Sequence, residues 1–159
     1  MLRTELEVIG FSVVDSVNGR YLFDLNDGDT LDMDALEDTY GVDQFTIVCN
    51  TTGPVESALL TDPYDETANV EGSPPWALAS DVQGNFGTTP FRDNLGNWTV
   101  TCEPFCGPDN TGDSGEVAEV NFDVKACTEC TTECIRVTGK SYFRMTVSLI
   151  TTIPLYSPL

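Results

Sequence analysis

The residues of this chain with the greatest capacity for chemistry are six cysteines, set in a sequence that contains no histidine. Without histidine, a Ser–His or Cys–His nucleophile pair and a histidine-ligated metal centre are both excluded. Paired carboxylates serve glycosidases, but among 26 acidic residues some pair always has a suitable spacing. We therefore expect a protein that is not an enzyme. The cysteines are Cys49, Cys102, Cys106, Cys127, Cys130 and Cys134.

Cysteines without histidine favour disulfides over a zinc site, and disulfides persist in oxidising compartments. Two N-glycosylation sequons, which begin at Asn50 and Asn97, agree with such a compartment. The first ten residues contain no apolar core of signal-peptide length. No apolar run reaches the roughly 20 residues that span a bilayer. The sequence therefore predicts an extracellular or cell-surface glycoprotein without a membrane span.

The formal net charge is −19, and residues 1–126 carry 24 of the 26 acidic residues. Such acidity disfavours nucleic acids and anionic membranes as partners. The densest acidic cluster contains Asp27, Asp29 and Asp32, whose hard oxygen ligands suit calcium. The cluster departs from the EF-hand spacing, because Gly28 occupies the third ligand position counted from Asp24. It predicts either a loop-based calcium site, the one cofactor that the sequence suggests, or solvated turn residues.

Short segments in which apolar and polar residues alternate are typical of half-buried strands. Turn-forming residues separate these segments, and they are dense enough at residues 62–75 and 81–97 to predict loops there. The helical candidate is residues 34–40, and the last two strands predict a hairpin with a long tip. Many short strands separated by turns predict an all-β antiparallel sandwich over residues 1–125. The predicted strands cover residues 9–14, 21–25, 45–50, 55–60, 98–103 and 120–125.

Five segments in order carry a resemblance to a known family: Gly-Phe-Ser-Val-Val-Asp, Asp-Gly-Asp-Thr-Leu-Asp-Met, Phe-Thr-Ile-Val-Cys-Asn-Thr, Pro-Pro-Trp-Ala-Leu-Ala-Ser-Asp and Gly-Asn-Trp-Thr-Val-Thr-Cys-Glu-Pro-Phe. The stretch from about Val8 to Val124 resembles immunoglobulin-like modules of large secreted and surface proteins of bacteria and algae. The resemblance implies an immunoglobulin-like antiparallel β-sandwich and brings no catalytic residues. It also implies a cross-sheet disulfide between the strands conventionally named B and F. Cys49 and Cys102 lie in phase with the apolar faces of two such strands, and two buried free thiols are the alternative.

The other four cysteines fall at opposite ends of the predicted hairpin. Cys106 ends one strand, whereas Cys127, Cys130 and Cys134 follow the returning strand. Seven or eight strand residues separate these ends by about 25 Å, while a disulfide needs Cα atoms within about 7 Å. Cys106 therefore does not reach Cys127 directly. Either the tail folds back along the domain, or Cys106 pairs with a tail cysteine of a neighbouring molecule; a metal site in the tail is a weaker alternative.

The C-terminal extension, residues 126–159, contains one further strand pattern at residues 141–150, in which Phe143, Met145, Val147 and Leu149 alternate with more polar residues. An amphipathic strand needs a sheet edge to pair with and an apolar face to cover. It either pairs with its own sandwich or completes the sheet of the next subunit; a disordered end is the third alternative. The extension is mildly basic, which favours docking on the acidic domain.

The sequence as a whole predicts a non-enzymatic extracellular structural or adhesive subunit. Strand addition from the tail would polymerise it head to tail into a filament, because a contact of this kind that does not close gives an open assembly. The alternative is a carbohydrate- or calcium-binding module of a larger cell-surface protein. In that alternative, Trp76, Trp98, Tyr21 and Phe86 are the candidates for a surface that stacks on sugars.

Overall fold

The computed structural model describes residues 5–64, 69–82 and 85–126, which all belong to one compact unit. Of these residues, 50% lie in strands and 12% in helices, so the predicted all-β class is confirmed. One α-helix, α1 (Met33–Tyr40), and two 3-10 turns at Phe91–Asp93 and Pro108–Asn110 accompany the strands. The strands are β1 (Glu7–Asp15), β2 (Arg20–Leu25), β3 (Thr30–Asp32), β4 (Phe45–Thr52), β5 (Ser57–Thr61), β6 (Asn69–Glu71), β7 (Trp76–Ala77), β8 (Asp81–Val82), β9 (Asn85–Phe86), β10 (Gly96–Phe105) and β11 (Ala118–Lys125).

Two sheets form the sandwich. The first has the strand order β2-β1-β4-β7 and the second the order β3-β11-β10-β5-β6, while β8 and β9 form a separate small hairpin. Every pairing is antiparallel except that of β3 with β11, which is parallel. The sandwich is therefore mixed, whereas the sequence predicted a purely antiparallel one. The predicted hairpin with a long tip is present, since β10 and β11 pair from Gly96 opposite Val124 to Cys102 opposite Ala118.

The core lies between the two sheets and is built from alternate residues of the strands. Val13, Ile47 and Val100 have no exposed surface. Trp98 is 1% exposed, and its ring lies 4.8 Å from that of Phe91 in an edge-to-face arrangement. The indole N–H of Trp98 donates a 2.7 Å hydrogen bond to the carbonyl oxygen of Asn94, so its polar atom is satisfied inside the core.

The outer face of the first sheet carries a second, smaller apolar cluster. Val14, Val48 and Ala77 are buried there, and the half-buried Phe86 of the small hairpin packs against them. Strands covered on both faces lose the strict alternation of a half-buried strand. In agreement with this, the residues of β1 from Phe11 to Asp15 and of β4 from Phe45 to Cys49 are all buried, including the polar Ser12 and Thr46.

Helix α1 links the two sheets and has defined ends. The Asp32 side chain accepts hydrogen bonds from the backbone N–H groups of Asp34 and Ala35, which caps the first turn. Gly41 ends the helix at a left-handed φ of 71°, and its N–H bonds to the carbonyl oxygen of Glu37. The predicted helix at residues 34–40 is therefore confirmed, with one more residue at its start.

Two predicted loops contain short strands. Residues 62–75 include β6, and residues 81–97 include β8, β9 and the turn at Phe91–Asp93. These strands have two or three residues each, which is too short for an alternating pattern to be visible. The predictions of unbroken loops were wrong for this reason.

The extension at residues 126–159 and the predicted strand at residues 141–150 lie outside the described residues, apart from Ala126. Its assembly residues Phe143, Met145, Val147 and Leu149 therefore stay predictions. Within the described part of the chain, no helix is long and apolar enough to cross a membrane.

Candidate functional site: an open groove at one end of the sandwich

The centre of the sandwich is fixed by the disulfide between Cys49 of β4 and Cys102 of β10. Their Cα atoms lie 6.4 Å apart, and both side chains are buried. Because the two strands belong to different sheets, the bond crosses the core. The pairing that the sequence predicted is confirmed.

Near one end of the sandwich, the edge strand of each sheet stops before the strand that it pairs with, so part of that strand has no neighbour on one side among the described residues. In the first sheet, β2 pairs with β1 only from Phe11 to Asp15. The preceding residues 7–10 pair with β4 on one side and have no neighbouring strand on the other among the described residues. The register slips between Val8 and Gly10, so Ile9 is a bulge residue, and its side chain is 64% exposed.

In the second sheet, β3 pairs with β11 only over Asp123–Lys125. The loop before β3 covers Asn121, whose N–H donates to Asp27 Oδ1 and whose carbonyl oxygen accepts from the N–H of Gly28. Residues 118–120 have no strand on that side within the described ranges. The first residues of β1 and β11 therefore present open edges at the same end of the domain.

A groove of about 790 Å³ lies between these two open edges, and we call it the end groove. Its apolar lining includes Leu6, Val8, Val117 and Ala118, and the side chain of Val117 is 57% exposed. Its acidic lining residues are Glu5, Glu7, Asp113 and Glu116. The groove thus combines apolar contact surface and unpaired strand edges with strongly negative charge.

Two glycines bring backbone segments together at this end. A Cβ atom at Gly115 would collide with the carbonyl oxygen of Leu6, and one at Gly53 would collide with that of Glu5. Residues 5 and 6 are therefore held between the β4–β5 connection and the loop that precedes β11. Only glycine permits both close approaches, so this end of the groove is formed by tightly packed backbone.

The thiol of Cys106 also lines the end groove. Cys106 is half-buried, has no disulfide partner among the described residues, and its Sγ accepts a 3.2 Å hydrogen bond from the N–H of Asp113. It follows the last residue of β10, whereas the chain leaves β11 at Lys125, beside the start of β10. The predicted location of Cys106 at the opposite end from the chain's exit is confirmed. Cys127, Cys130 and Cys134 lie outside the described residues.

The two sequon asparagines have different surroundings. Asn97 is exposed and lies opposite Asp123 in the β10–β11 ladder. Asn50 is half-buried, and its Nδ2 donates a 2.7 Å hydrogen bond to the Ser12 hydroxyl, which donates in turn to Asp24. The amide nitrogen that would carry a glycan is therefore engaged in a hydrogen bond at Asn50, whereas Asn97 is an exposed residue.

The acidic cluster proposed for calcium serves the backbone instead. Asp27 accepts from the N–H of Asn121 on β11, Asp29 accepts from the N–H of Asn26 at 2.8 Å, and Asp32 caps α1. Within the ranges that the structure describes, no group of three or more acidic or cysteine residues is placed to hold a metal ion. Each of the three carboxylates therefore has a different structural role. Turns and helix caps favour aspartate because its oxygens accept hydrogen bonds from backbone N–H groups.

The aromatic residues considered for sugar stacking do not share a surface. Trp76 and Trp98 belong to the main core, and the Trp76 indole N–H donates to the Thr51 hydroxyl. Phe86 packs in the outer cluster, and Tyr21 is exposed on β2. The pKa of Tyr21 is raised by partial desolvation and by its hydrogen bond to Asp24. Both tryptophans are thus buried residues, and neither forms a platform.

Two charged groups fix local structure away from the groove. Burial alone would raise the pKa of Asp15, but hydrogen bonds from the Asn18 side chain and from two backbone N–H groups outweigh it and lower that pKa. Arg92 contacts Asp34 at 2.7 Å and Glu37 at 2.6 Å, and its hydrogen bond to Asp34 raises the Arg92 pKa. These contacts hold the β1–β2 turn and α1 in place.

Sequence reasoning missed the end groove itself. The groove depends on where β2 and β3 stop relative to β1 and β11, which no local pattern specifies. The glycines at 53 and 115 and the free thiol at 106 were the available signals. Comparisons of this chain with protein-family models, with curated proteins and with solved structures found no match.

Proposed function

We propose that the chain is a non-enzymatic extracellular structural or adhesive subunit with an immunoglobulin-like sandwich. In this proposal the C-terminal tail supplies a strand to the next subunit, and repetition of that contact builds a head-to-tail filament. The single observation that carries the proposal is the pair of open strand edges at the end of the domain opposite to the chain's exit.

The extracellular assignment is supported by the cross-sheet disulfide, since such bonds persist in oxidising compartments. The exposed sequon at Asn97 agrees with it. The immunoglobulin-like assignment is supported by a disulfide that joins two facing sheets of a β-sandwich. The non-enzymatic assignment is supported by the absence of histidine from the whole sequence.

Polymerisation is favoured by the distribution of charge. The open edges carry Glu7 and Glu119, both exposed, so two identical edges repel each other. Residues 127–159 contain three basic and two acidic residues, so a strand from this tail is attracted to the edge that repels a second domain. The edge of one domain therefore attracts the tail of another copy and repels its edge, which favours head-to-tail over edge-to-edge assembly.

The experiment compares the full chain with two tail variants. Light scattering over a concentration series and negative-stain microscopy are expected to detect filaments of the natural sequence. Val147→Pro, within the predicted tail strand, is expected to abolish them, because proline removes a ladder hydrogen bond. Val137→Pro, in the tail but outside that strand, is the matched control and is expected to leave them intact. A natural chain that stays monomeric at about 100 μM would refute the proposal, because any association would then be weaker than a binding free energy of about −5.5 kcal/mol.

A further inference from the structure

We infer that the end groove is the acceptor site for the tail strand of a second copy of this chain. The inference rests on the proposed function and specifies the site at which it operates. The occupant is the segment around residues 141–150, and it would lie along the open edge of β1 at residues 7–10.

The chemistry of the groove fits an amphipathic strand. The open edge offers unpaired backbone groups, and an added strand satisfies them by extending the ladder. Leu6, Val8, Val117 and Ala118 belong to the apolar part of the lining, which alternate side chains of the incoming strand would cover. The proposed donor supplies Phe143, Met145, Val147 and Leu149 on one face.

The electrostatics of the groove fit the same occupant. Four acidic residues line the groove, and among the described residues no lysine or arginine lines it. Arg136, Lys140 and Arg144 lie within or just before the donor segment. Opposite charges attract, and dissolved salt weakens this attraction once the charges are farther apart than about one Debye length. Binding is therefore expected to weaken as the salt concentration rises.

The position of the chain's exit favours a second copy over the chain's own tail. The tail leaves β11 at Lys125, and the groove lies at the Ala118 end of that strand, about 24 Å away at ~3.4 Å per residue. The own tail would have to return over this length before entering the groove. In a head-to-tail stack, the exit of one copy faces the groove of the next, so no return is needed.

The Cys106 thiol in the groove allows the head-to-tail arrangement to be tested by disulfide cross-linking. In such a stack, Cys106 of one copy lies at the junction that the tail cysteines of the previous copy must pass. With glutathione disulfide as oxidant, a protein thiolate displaces one glutathione thiolate, and the second protein thiolate then displaces the protein-bound glutathione. Two protein thiols and one glutathione disulfide thus give one protein disulfide and two glutathione molecules.

The first experiment mixes unlabelled and ¹⁵N-labelled full chains, oxidises them with glutathione disulfide and identifies the cross-links by mass spectrometry. Cleavage at acidic residues separates Cys102 from Cys106 at Glu103, and it separates the three tail cysteines at Glu129 and Glu133. Hybrid-label peptides that join Cys106 to a tail cysteine support the inference. Same-label pairs alone would show that the own tail fills the groove and would overturn it, as would the absence of any cross-link to Cys106.

The second experiment needs no cysteine chemistry and tests the groove directly. Val117→Arg removes apolar contact surface and adds repulsion toward the basic tail, so we expect association to weaken by about tenfold or more. Val17→Arg is the matched control, since Val17 is 59% exposed and lies on the β1–β2 turn away from the groove. Glu116→Lys is expected to weaken association as well, whereas Asp38→Lys on α1 is expected to leave it unchanged.

The outcomes separate the inference from the function on which it rests. If the natural chain does not polymerise, the proposed function fails. If it polymerises, loses polymers with Val147→Pro, but responds equally to Val117→Arg and Val17→Arg, the tail strand acts at another surface and the groove assignment is wrong. Circular dichroism of each variant establishes that an unfolded domain is not the cause of lost assembly.

Discussion

The disulfide between Cys49 and Cys102 gives the most quantitative test of how this domain is stabilised. The cleanest perturbation is reduction in a background where the other four cysteines are serine, because it breaks one bond and deletes no core atom. The sequence separation is 53. The chain-entropy relation then gives about −14 cal/mol/K for the denatured chain, which corresponds to about 4 kcal/mol at 25 °C.

This loss is a large part of the 5–15 kcal/mol that typically stabilises a domain. The assay is equilibrium unfolding in urea, followed by tryptophan fluorescence, because Trp98 is buried in the core. With a denaturant slope of about 2 kcal/mol/M, the midpoint should fall by about 2 M on reduction. The slope should also rise, since the uncrosslinked denatured state exposes more surface.

The background chain, oxidised and unreduced, is the reference and should unfold like the natural chain. A reduction that lowers the free energy of unfolding by less than about 1 kcal/mol, with an unchanged slope, would refute the reasoning. It would show that the packing of the two sheets alone fixes the domain. The domain would then fold in a reducing compartment, and the disulfide would no longer support an extracellular location.

Three further predictions concern single side chains. Asp15→Asn should lower the free energy of unfolding by about 1–2 kcal/mol at pH 7, because it weakens the hydrogen bonds of a buried carboxylate. The folded pKa of Asp15 is lowered, so this difference should be full above about pH 4 and vanish as the pH falls through the folded pKa, as urea titrations at several pH values would show. Arg92→Lys should cost about 0.5–1 kcal/mol, since the partly exposed guanidinium contacts two carboxylates, and thermal unfolding against an Arg20→Lys control would measure it. Expression in a eukaryotic secretory host should place glycan on Asn97 and little on Asn50, which peptide mass spectrometry would reveal; equal occupancy would contradict the role of the Asn50 hydrogen bond.

The strands that the sequence predicted are those whose alternation is set by burial on one face. In β10, buried and half-buried residues alternate from Trp98 onward, so the pattern of residues 98–103 was visible. The helix was predictable from its caps, since Asp32 and Gly41 are typical of the two ends. The disulfide pairing followed from the resemblance to immunoglobulin-like domains and from the phase of both cysteines.

The features that escaped prediction depend on contacts between distant segments. Asp27 accepts a hydrogen bond from the N–H of Asn121, 94 residues away, and neither the calcium site nor the solvated turn that the sequence suggested specifies this contact with β11. Phe91 is buried in a segment rich in turn residues, because the core recruits it against Trp98. No local pattern records such a partnership, since the same residues would be solvated in an isolated peptide.

The acidity of the domain and its open edge are best understood together. An uncovered edge exposes a protein to unspecific pairing, and charged residues are a usual protection against it. Glu7 and Glu119 are exposed on the open edges, where their charges oppose pairing with the edges of identical domains, and the net charge of −19 adds a general repulsion between copies. In the proposed assembly an acidic tail would be repelled by the same charges. Residues 127–159, however, contain three basic and two acidic residues, whereas residues 1–126 contain four basic and 24 acidic ones. The proposed assembly through the tail and the protection of the edge against other pairings both require opposite charge on two segments of one chain, and the sequence has this distribution of charge.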